Sequence, residues 1–565
     1  MTQARRTNPP GTQAPPAQAF RIRGGRVYDP ANGIDGDVKE ICVEDGRVVR
    51  ECRGAAEVID ATGLVVMPGG IDIHTHVASP AVNAARALRP EDHRTNCCPR
   101  RPGLRSGVGN TIPSTFNTGY LYARLGYTTI MEAATPPIGT RHTHEELNDI
   151  PIVDKGCYLL MGNNEFLMRY IKAGEMDKLK QYVGWLVRSL KAYGLKLVNP
   201  GGVEQWKHGK DVEGLDDRID HFDVTPRQII QALAWANEEL GLPHSIHIHA
   251  NRLGIPGNVR VTLETLRALE GRRVHLAHVQ FHSYGGDGGW SGFTSRAKDL
   301  ADYVNAHPNV TVDVGQVVFG DATTITADGP WQYRLHKLTK NKWYNSDVEI
   351  ETGSGIVPYV YREKNFVNAL QWAIGLETFL LIDDPWRVYL STDHPNAGPF
   401  VFYPWVIKLL MDAPFRAEML KRVHPRVASR SLLPGLTREY TLNEIAIITR
   451  AGPARALGLR NKGHLGVGAD ADVAIYPDAR DREEMFERPV YVFKDGRIVV
   501  RDGEVVEACP GRTLYADVPA DDRLMKEIGD LFQAYYTVEV ENFPIPLEDL
   551  AGHEAIPVGR PGEPR

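Results

Sequence analysis

No part of the 565-residue chain is strongly basic. Its 65 lysines and arginines face 71 acidic residues, a formal net charge of −6, and they form no tract. That removes the electrostatic footprint of a nucleic-acid or anionic-membrane binder. No apolar run approaches the roughly 20 residues that span a bilayer. Cysteine is scarce: Cys42, Cys52, Cys97, Cys98, Cys157 and Cys509 are scattered and make no CxxC pair. A disulfide scaffold and a cysteine-ligated redox cluster are thereby excluded, and the pattern fits reduced thiols in a cytoplasmic protein. The adjacent Cys97 and Cys98 read as loop thiols. The opening stretch, MTQARRTNPPGTQAPPAQAF, holds no apolar signal-peptide core. No internal repeat is evident.

What is present is an ordinary globular composition, 42% hydrophobic and 24% charged, long enough for one large domain with additions. Residues 1–18 read as a flexible tail. Residues 19–66 carry short strand signals broken by turns, and the same texture returns over 464–512 (GADADVAIYP, PVYVFKDGRIVVRDGEVV). The two segments are expected to form one composite β-sandwich. Between them, over 67–463, apolar strands alternate with helical stretches: GIDIHTHV, YTTIMEAA, CYLLMGN, GLKLVNP, HSIHIHAN, VHLAHVQF, NVTVDVGQVVF and RVYLSTDHP. One helix is well signalled, with Thr225 as N-cap, Pro226 at its first position and Ile229, Ile230, Leu233 and Ala234 as its stripe. Eight such strands predict an α/β fold, a parallel (β/α)8 TIM-like barrel, with a doubly wound sheet as the alternative. Residues 513–565 form a C-terminal extension with one amphipathic segment, DDRLMKEIGDLFQAYY.

In such a barrel the site lies at the C-terminal strand ends. The first strand ends in His74-Thr75-His76, and side chains two apart on a strand share a face. On the fifth, His249 lies at the end and His247 one layer deeper, as a core histidine. On the sixth, His278 is the end residue, His275 falls on the opposite face, and His282 sits on the following loop. Asp393 tips the eighth strand, with His394 pointing the other way. Lys196 interrupts the apolar fourth strand, where burial disfavours its charged form. Nitrogen and oxygen ligands of this mix suit zinc or a similar divalent ion. Two ions need more ligands than four histidines and one aspartate provide. Carboxylation of Lys196 by carbon dioxide would supply a bridging anion and offset its burial.

These strand-end motifs resemble the amidohydrolase superfamily: PGGIDIHTHV, GLKLVNP, HIHAN, HLAHVQ and STDHP, with GHLGVGADADVAIYP as the return into its small β domain. Longer stretches are similar to a narrower family, the A subunits of formylmethanofuran dehydrogenases and of bacterial formyltransferase/hydrolase complexes. Among them are GYLYARLGYTTIMEAATPP, NPGGVEQWKHG, DVEIETGSGIVPY and TDHPNAGPFVFYP. The resemblance implies two zinc ions, N6-carboxylysine at Lys196, and hydrolysis of the N-formyl group of formylmethanofuran or methylofuran by water activated between the ions. His74, His76, Lys196 and Asp393 would hold one ion; Lys196, His249 and His278 the other; Asp393 would carry the proton. It also implies partner subunits, including a formyltransferase. His282, Asn251 and Asn117 become substrate-contact candidates. An Ala-, Arg- and Pro-rich composition favours the bacterial complex. The alternatives are the dehydrogenase subunit running formate condensation and a cyclic amidohydrolase of the dihydroorotase or hydantoinase kind. His142 and His144, a second HxH, fit packing or a substrate loop.

Overall fold

The eight apolar segments pair in chain order: β1 (Gly70–Thr75), β2 (Tyr127–Thr135), β3 (Asp154–Leu160), β4 (Gly194–Val198), β5 (Ile246–His249), β6 (Val274–Leu276), β7 (Val310–Asp313) and β8 (Val388–Tyr389). All neighbouring pairs are parallel. A parallel bridge between Thr75 and His394, with His76 N donating to His394 O at 2.7 Å, closes β8 onto β1. The expected (β/α)8 barrel is therefore the fold. The structure is a computed structural model that describes residues 19–287, 289–346 and 354–559. The tail 1–18 and residues 347–353 of the DVEIETGSGIVPY motif lie outside the described residues.

Barrel strands are covered on both faces, which is why they read as near-continuous apolar runs rather than alternating ones. The helix Pro226–Glu239 starts as its sequence predicts. Thr225 accepts from Gln228 N, and Gln228 returns the bond to complete a capping box. Its buried residues include Ile229, Ile230, Leu233 and Ala234.

Two further sheets make the composite sandwich. One orders Arg47–Val49, Ile41–Glu44, Phe20–Arg23 and Glu57–Asp60; the other has seven strands and joins the chain ends where Val473–Pro477 runs antiparallel to Leu64–Pro68. Phe20, Ile22, Val43, Val473, Ile475 and Phe493 share its core. A buried ion network ties this domain to the base of β3. Lys462 Nζ lies 2.6 Å from Asp154, 2.8 Å from Asp470 and 3.0 Å from Asp472, and Lys494 and Arg512 reach Asp154 at 3.1 and 2.9 Å. The three aspartates sit close enough together to hold a metal ion, but the lysine ammonium groups already fill that place.

The C-terminal extension docks on the barrel. Thr513–Asp517 pairs in parallel with His553–Pro557 and meets β3 at Lys155. The amphipathic segment is the helix Met525–Tyr535, whose Phe532 packs against Phe166 and Trp185. One feature is absent from the sequence reading: an insertion between β7 and β8. It is a three-stranded antiparallel sheet (Gly320–Thr326, Tyr344–Ser346, Ser354–Tyr361) carrying the helix Gly329–Thr339. Among the described residues no helix is long and apolar enough to cross a membrane.

Candidate metal centre

His74 and His76 leave β1 on one face, and both Nε2 atoms meet Asp393 Oδ1, at 3.1 and 3.2 Å. Behind each ring stands a carboxylate. Asp313, the last residue of β7, lies 3.0 Å from His74 Nδ1; Glu132, on β2, lies 3.4 Å from His76 Nδ1 and accepts the Val77 and Ala78 amides with its other oxygen. Such partners fix the tautomer and turn the second nitrogen toward the ligand. A chain of histidines fixes it again for His74. His244 Nδ1 donates to Ala456 O at 2.9 Å, His247 Nδ1 donates to His244 Nε2 at 3.0 Å, and His247 Nε2 accepts from His74 Nδ1 at 3.0 Å. The proton of His74 is thus on Nδ1. Its Nε2 lone pair faces the Asp393 carboxylate without a hydrogen bond, an arrangement that calls for a cation between them.

Lys196 enters from β4. Its neighbours Leu195 and Leu197 point to the helices, and its register partner is His247. The ammonium is buried and has no hydrogen-bond partner. Burial lowers its pKa to about 7, against the opposing pull of Asp313, Asp393 and Glu132. His249 and His278 complete the ring, 4.8 Å apart centroid to centroid. Burial, with Lys196 nearby, holds both well below the usual histidine range, so they are neutral and ligand-ready. Burial also lowers His76, but Asp393 and Glu132 outweigh it and hold the ring at about 9; Asp393 falls far below the usual carboxylate range despite burial because of His74 and His76. A cation would replace that proton. Two neutral imidazoles, an ionised carboxylate, an orphaned amine and a ring whose proton a cation would displace converge on one cavity and fit a divalent-metal centre.

Three non-glycine residues at this rim have left-handed backbones: Asn199 (φ 40°) after β4, His278 (φ 34°) after β6 and Asp393 (φ 47°) after β8. Each such conformation costs on the order of 1 kcal/mol and typically marks a functional site. The turn at His278 also corrects the sequence reading of His275. A continuous strand would place the two rings on opposite faces. Instead β6 ends at Leu276, His278 is re-aimed, and His275 points inward too, with its Nε2 3.0 Å from Asp313 Oδ2.

His74, His76, Lys196, His249, His278 and Asp393 all line a cavity of about 280 Å3, whose outer wall is Phe281, Trp290, Trp331, Leu335, Tyr359 and Tyr361. His282 lies beside it, 5.5 Å from His249 and 5.4 Å from His278 by ring centroids, with both ring nitrogens unpartnered. The two asparagine candidates are elsewhere. Asn251 donates to Asn199 Oδ1 and Pro200 O and so clamps the turn that follows Lys196. Asn117 donates to Asn96 O and Gly109 O on the rim of a separate cleft beside Cys97 and Cys98. Neither lines the metal cavity: both amide nitrogens are held by loop groups, although Asn251 Oδ1 is buried without a partner. His142 is half-exposed beside Glu146, and His144 donates to Leu190 O. His394 is buried against Phe400, whose amide it accepts. Asp313, Glu132 and Asp328 were missed from sequence. Asp328 Oδ2 lies 3.3 Å from His249 Nε2, and burial raises its pKa to about 6.

A parallel barrel with histidine, lysine and aspartate side chains gathered at its C-terminal strand ends, in groups that could hold a metal ion, is the arrangement of the metal-dependent amide- and ester-hydrolysing barrels as a class. Residues 57–500 match the model of the amidohydrolase family, and the chain belongs to that family. It is 49% identical over 549 residues to Protein FwdA of Methanocaldococcus jannaschii, covering 93% of this chain and 96% of that one. It is 44% identical over 538 residues to the A subunit of the formyltransferase/hydrolase complex Fhc of Methylorubrum extorquens, again covering 93% and 96%. The crystal structure of that organism's formyltransferase/hydrolase complex (FhcABCD) with methylofuran superposes with a TM-score of 0.91 at 41% identity, covering 96% of this chain and all of the matched one.

Proposed function

We propose that the chain is the hydrolytic A subunit of a formyltransferase/hydrolase complex. In this reading it cleaves the N-formyl group of formylmethanofuran or methylofuran to formate and the free amine, and it assembles with further subunits, one of them a formyltransferase. The observation that carries the reading is the unpartnered Lys196 amine among four histidines and Asp393, in a chain that runs the full length of relatives bearing those names.

His74, His76, Asp393 and Lys196 would hold one divalent ion, zinc being the expected one; Lys196, His249 and His278 would hold the other. With a pKa near 7, Lys196 presents neutral amine at physiological pH. Its Nζ would add to the carbon of carbon dioxide and lose a proton to solvent, and the resulting carbamate would supply anionic oxygen donors to the pair of ions. Bound divalent ions lower the pKa of water from about 16 to roughly 7 and polarise a carbonyl oxygen. Asp393 supplies the proton path. Its Oδ1 is engaged by Asn396 Nδ2 at 2.9 Å as well as by His74 and His76, so Oδ2 takes the proton of the attacking water and returns it to the departing amine. The aromatic wall excludes bulk water and strengthens each of these interactions.

The test is purified protein with its partner subunits, loaded with zinc and assayed for formate release from the N-formylated carrier. Two ions per chain and formate release are expected. Ring opening of dihydroorotate or a hydantoin without formate release would instead identify a cyclic amidohydrolase.

A further inference from the structure

The insertion between β7 and β8 does more than wall the cavity. Its helix Gly329–Thr339 begins at Asp328, which as N-cap accepts the Trp331 amide on Oδ1 at 3.2 Å. The same oxygen accepts Asn199 Nδ2 at 3.1 Å, from the left-handed turn that follows Lys196. The other oxygen, Oδ2, faces His249 Nε2 at 3.3 Å. Asp328 is almost fully buried, at 2% exposure. Its two oxygens therefore join the insertion to the strand ends of β4 and β5.

The other carboxylates behind candidate ligands belong to the barrel itself: Asp313 to β7 and Glu132 to β2. Among the described residues, only the one behind His249 arrives from outside the barrel wall. We propose that Asp328 is a positioning residue for the second ion. It holds the proton of His249 on Nε2, turns Nδ1 toward the ion, and so makes retention of that ion depend on the seating of the insertion. Trp331, Gln332 and Leu335, on the helix that Asp328 caps, line the substrate cavity. Filling the cavity and holding the second ion are thus built into one element. The inference rests on the two-ion reading above but not on the identity of the substrate.

The chemistry gives a test that separates positioning from packing. In Asp328→Asn the cap and the bond from Asn199 both need the amide oxygen, so the amide nitrogen faces His249. An N–H donated to Nε2 moves the ring proton to Nδ1, the wrong tautomer for a ligand. Asp328→Ala only frees the ring. Full-length wild type and both variants are stripped and reloaded with zinc. Binding is then followed by chelator competition, and cobalt-substituted samples are read by absorption. Wild type should hold two equivalents. Asp328→Asn should weaken one of them 10–100-fold, the usual effect of losing such a partner, leave the other unchanged, and perturb the cobalt spectrum. Asp328→Ala should show the smaller loss. Two equivalents of wild-type affinity in both variants would overturn the proposal. So would equal weakening of both ions, or a larger loss in the alanine variant, since either points to packing. Should Asp328→Asn not fold, selective loss of one equivalent in Asp328→Ala still decides. Wild type that holds both ions but releases no formate would instead refute the substrate assignment and leave this inference standing.

Discussion

Replacing Lys196 with methionine should make the metal-free protein more stable and inactive at once. The two side chains are similar in length, and only the amine is removed. In the fold the amine is buried without a partner, and its pKa drops from 10.5 to about 7. At about 1.4 kcal/mol per pH unit, that fall makes the folded state about 5 kcal/mol less stable, wherever the ammonium persists, than a solvated lysine would. The sign follows from proton binding. Between about pH 7 and 10.5 the unfolded chain holds a proton on Lys196 that the folded chain has released. Wild-type stability therefore rises with pH across that window, whereas the methionine variant lacks this contribution. At pH 7, in protein stripped of metal and carbon dioxide, the variant should melt higher by about 4 °C, taking an unfolding entropy near ~2 cal/mol/K per residue. The gap should close toward pH 10. Scanning calorimetry over pH 6–10 reads both. Metal analysis should show loss of the second ion, and formate release should be abolished. If the variant melts lower than wild type, or tracks its pH dependence, the lysine is a paired structural charge and the reasoning here is refuted.

Three further outcomes are expected. In Asp313→Asn the amide oxygen can still accept the His278 amide (2.8 Å in wild type), so an N–H replaces the carboxylate oxygen shared by His74 and His275; chelator competition should show zinc affinity down about 10–100-fold. Gly315→Ala places a methyl 2.5 Å from His278 Cβ at a residue with φ 64°; denaturant titration should show a loss of about 1–3 kcal/mol, and metal affinity should fall with it. Glu377 is fully buried, its carboxylate accepting from Ser295 Oγ and from the Leu432 and Leu433 amides, and burial raises its pKa to about 7. Because the folded state binds that proton more tightly, stability should fall as pH rises from about 4.5 to 7. Glu377→Gln keeps the acceptor oxygen and should remove this slope in urea unfolding.

The barrel strands and their order were legible because a parallel sheet, buried on both faces, leaves apolar runs that end in turn residues. The residues that converge on the cavity were legible for a related reason: His74, His76, Lys196, His249 and Asp393 are polar residues at the ends of such runs. Glu132 and Asp313 carry the same signal, in IMEAA and VDVGQ, and a stricter use of it would have found them. Asp328 does not, since it caps a helix in an insertion whose placement over the mouth depends on tertiary packing. The inward turn of His275 and His278 depends on one left-handed residue that periodicity cannot register. Asn117 and Asn251 failed as cavity residues because loop position does not reveal which backbone carbonyls an amide will satisfy.

The composite sandwich has a consequence for biogenesis. Its early strands pair among themselves from Phe20 to Asp60, but Leu64–Pro68 waits for its antiparallel partner Val473–Pro477. At roughly 5–20 residues per second of synthesis, the intervening ~400 residues take about 20–80 s to emerge. During that time Phe20, Ile22 and Val43 lack the half of their core that Val473, Ile475 and Phe493 supply in the finished sandwich. Asp154 waits as long for Lys462, Lys494 and Arg512, and an unpaired carboxylate resists burial. The floor of the barrel therefore stays unsealed until the last tenth of the chain leaves the ribosome. A nascent chain stalled before that point exposes apolar strand edges that chaperones and proteases recognise.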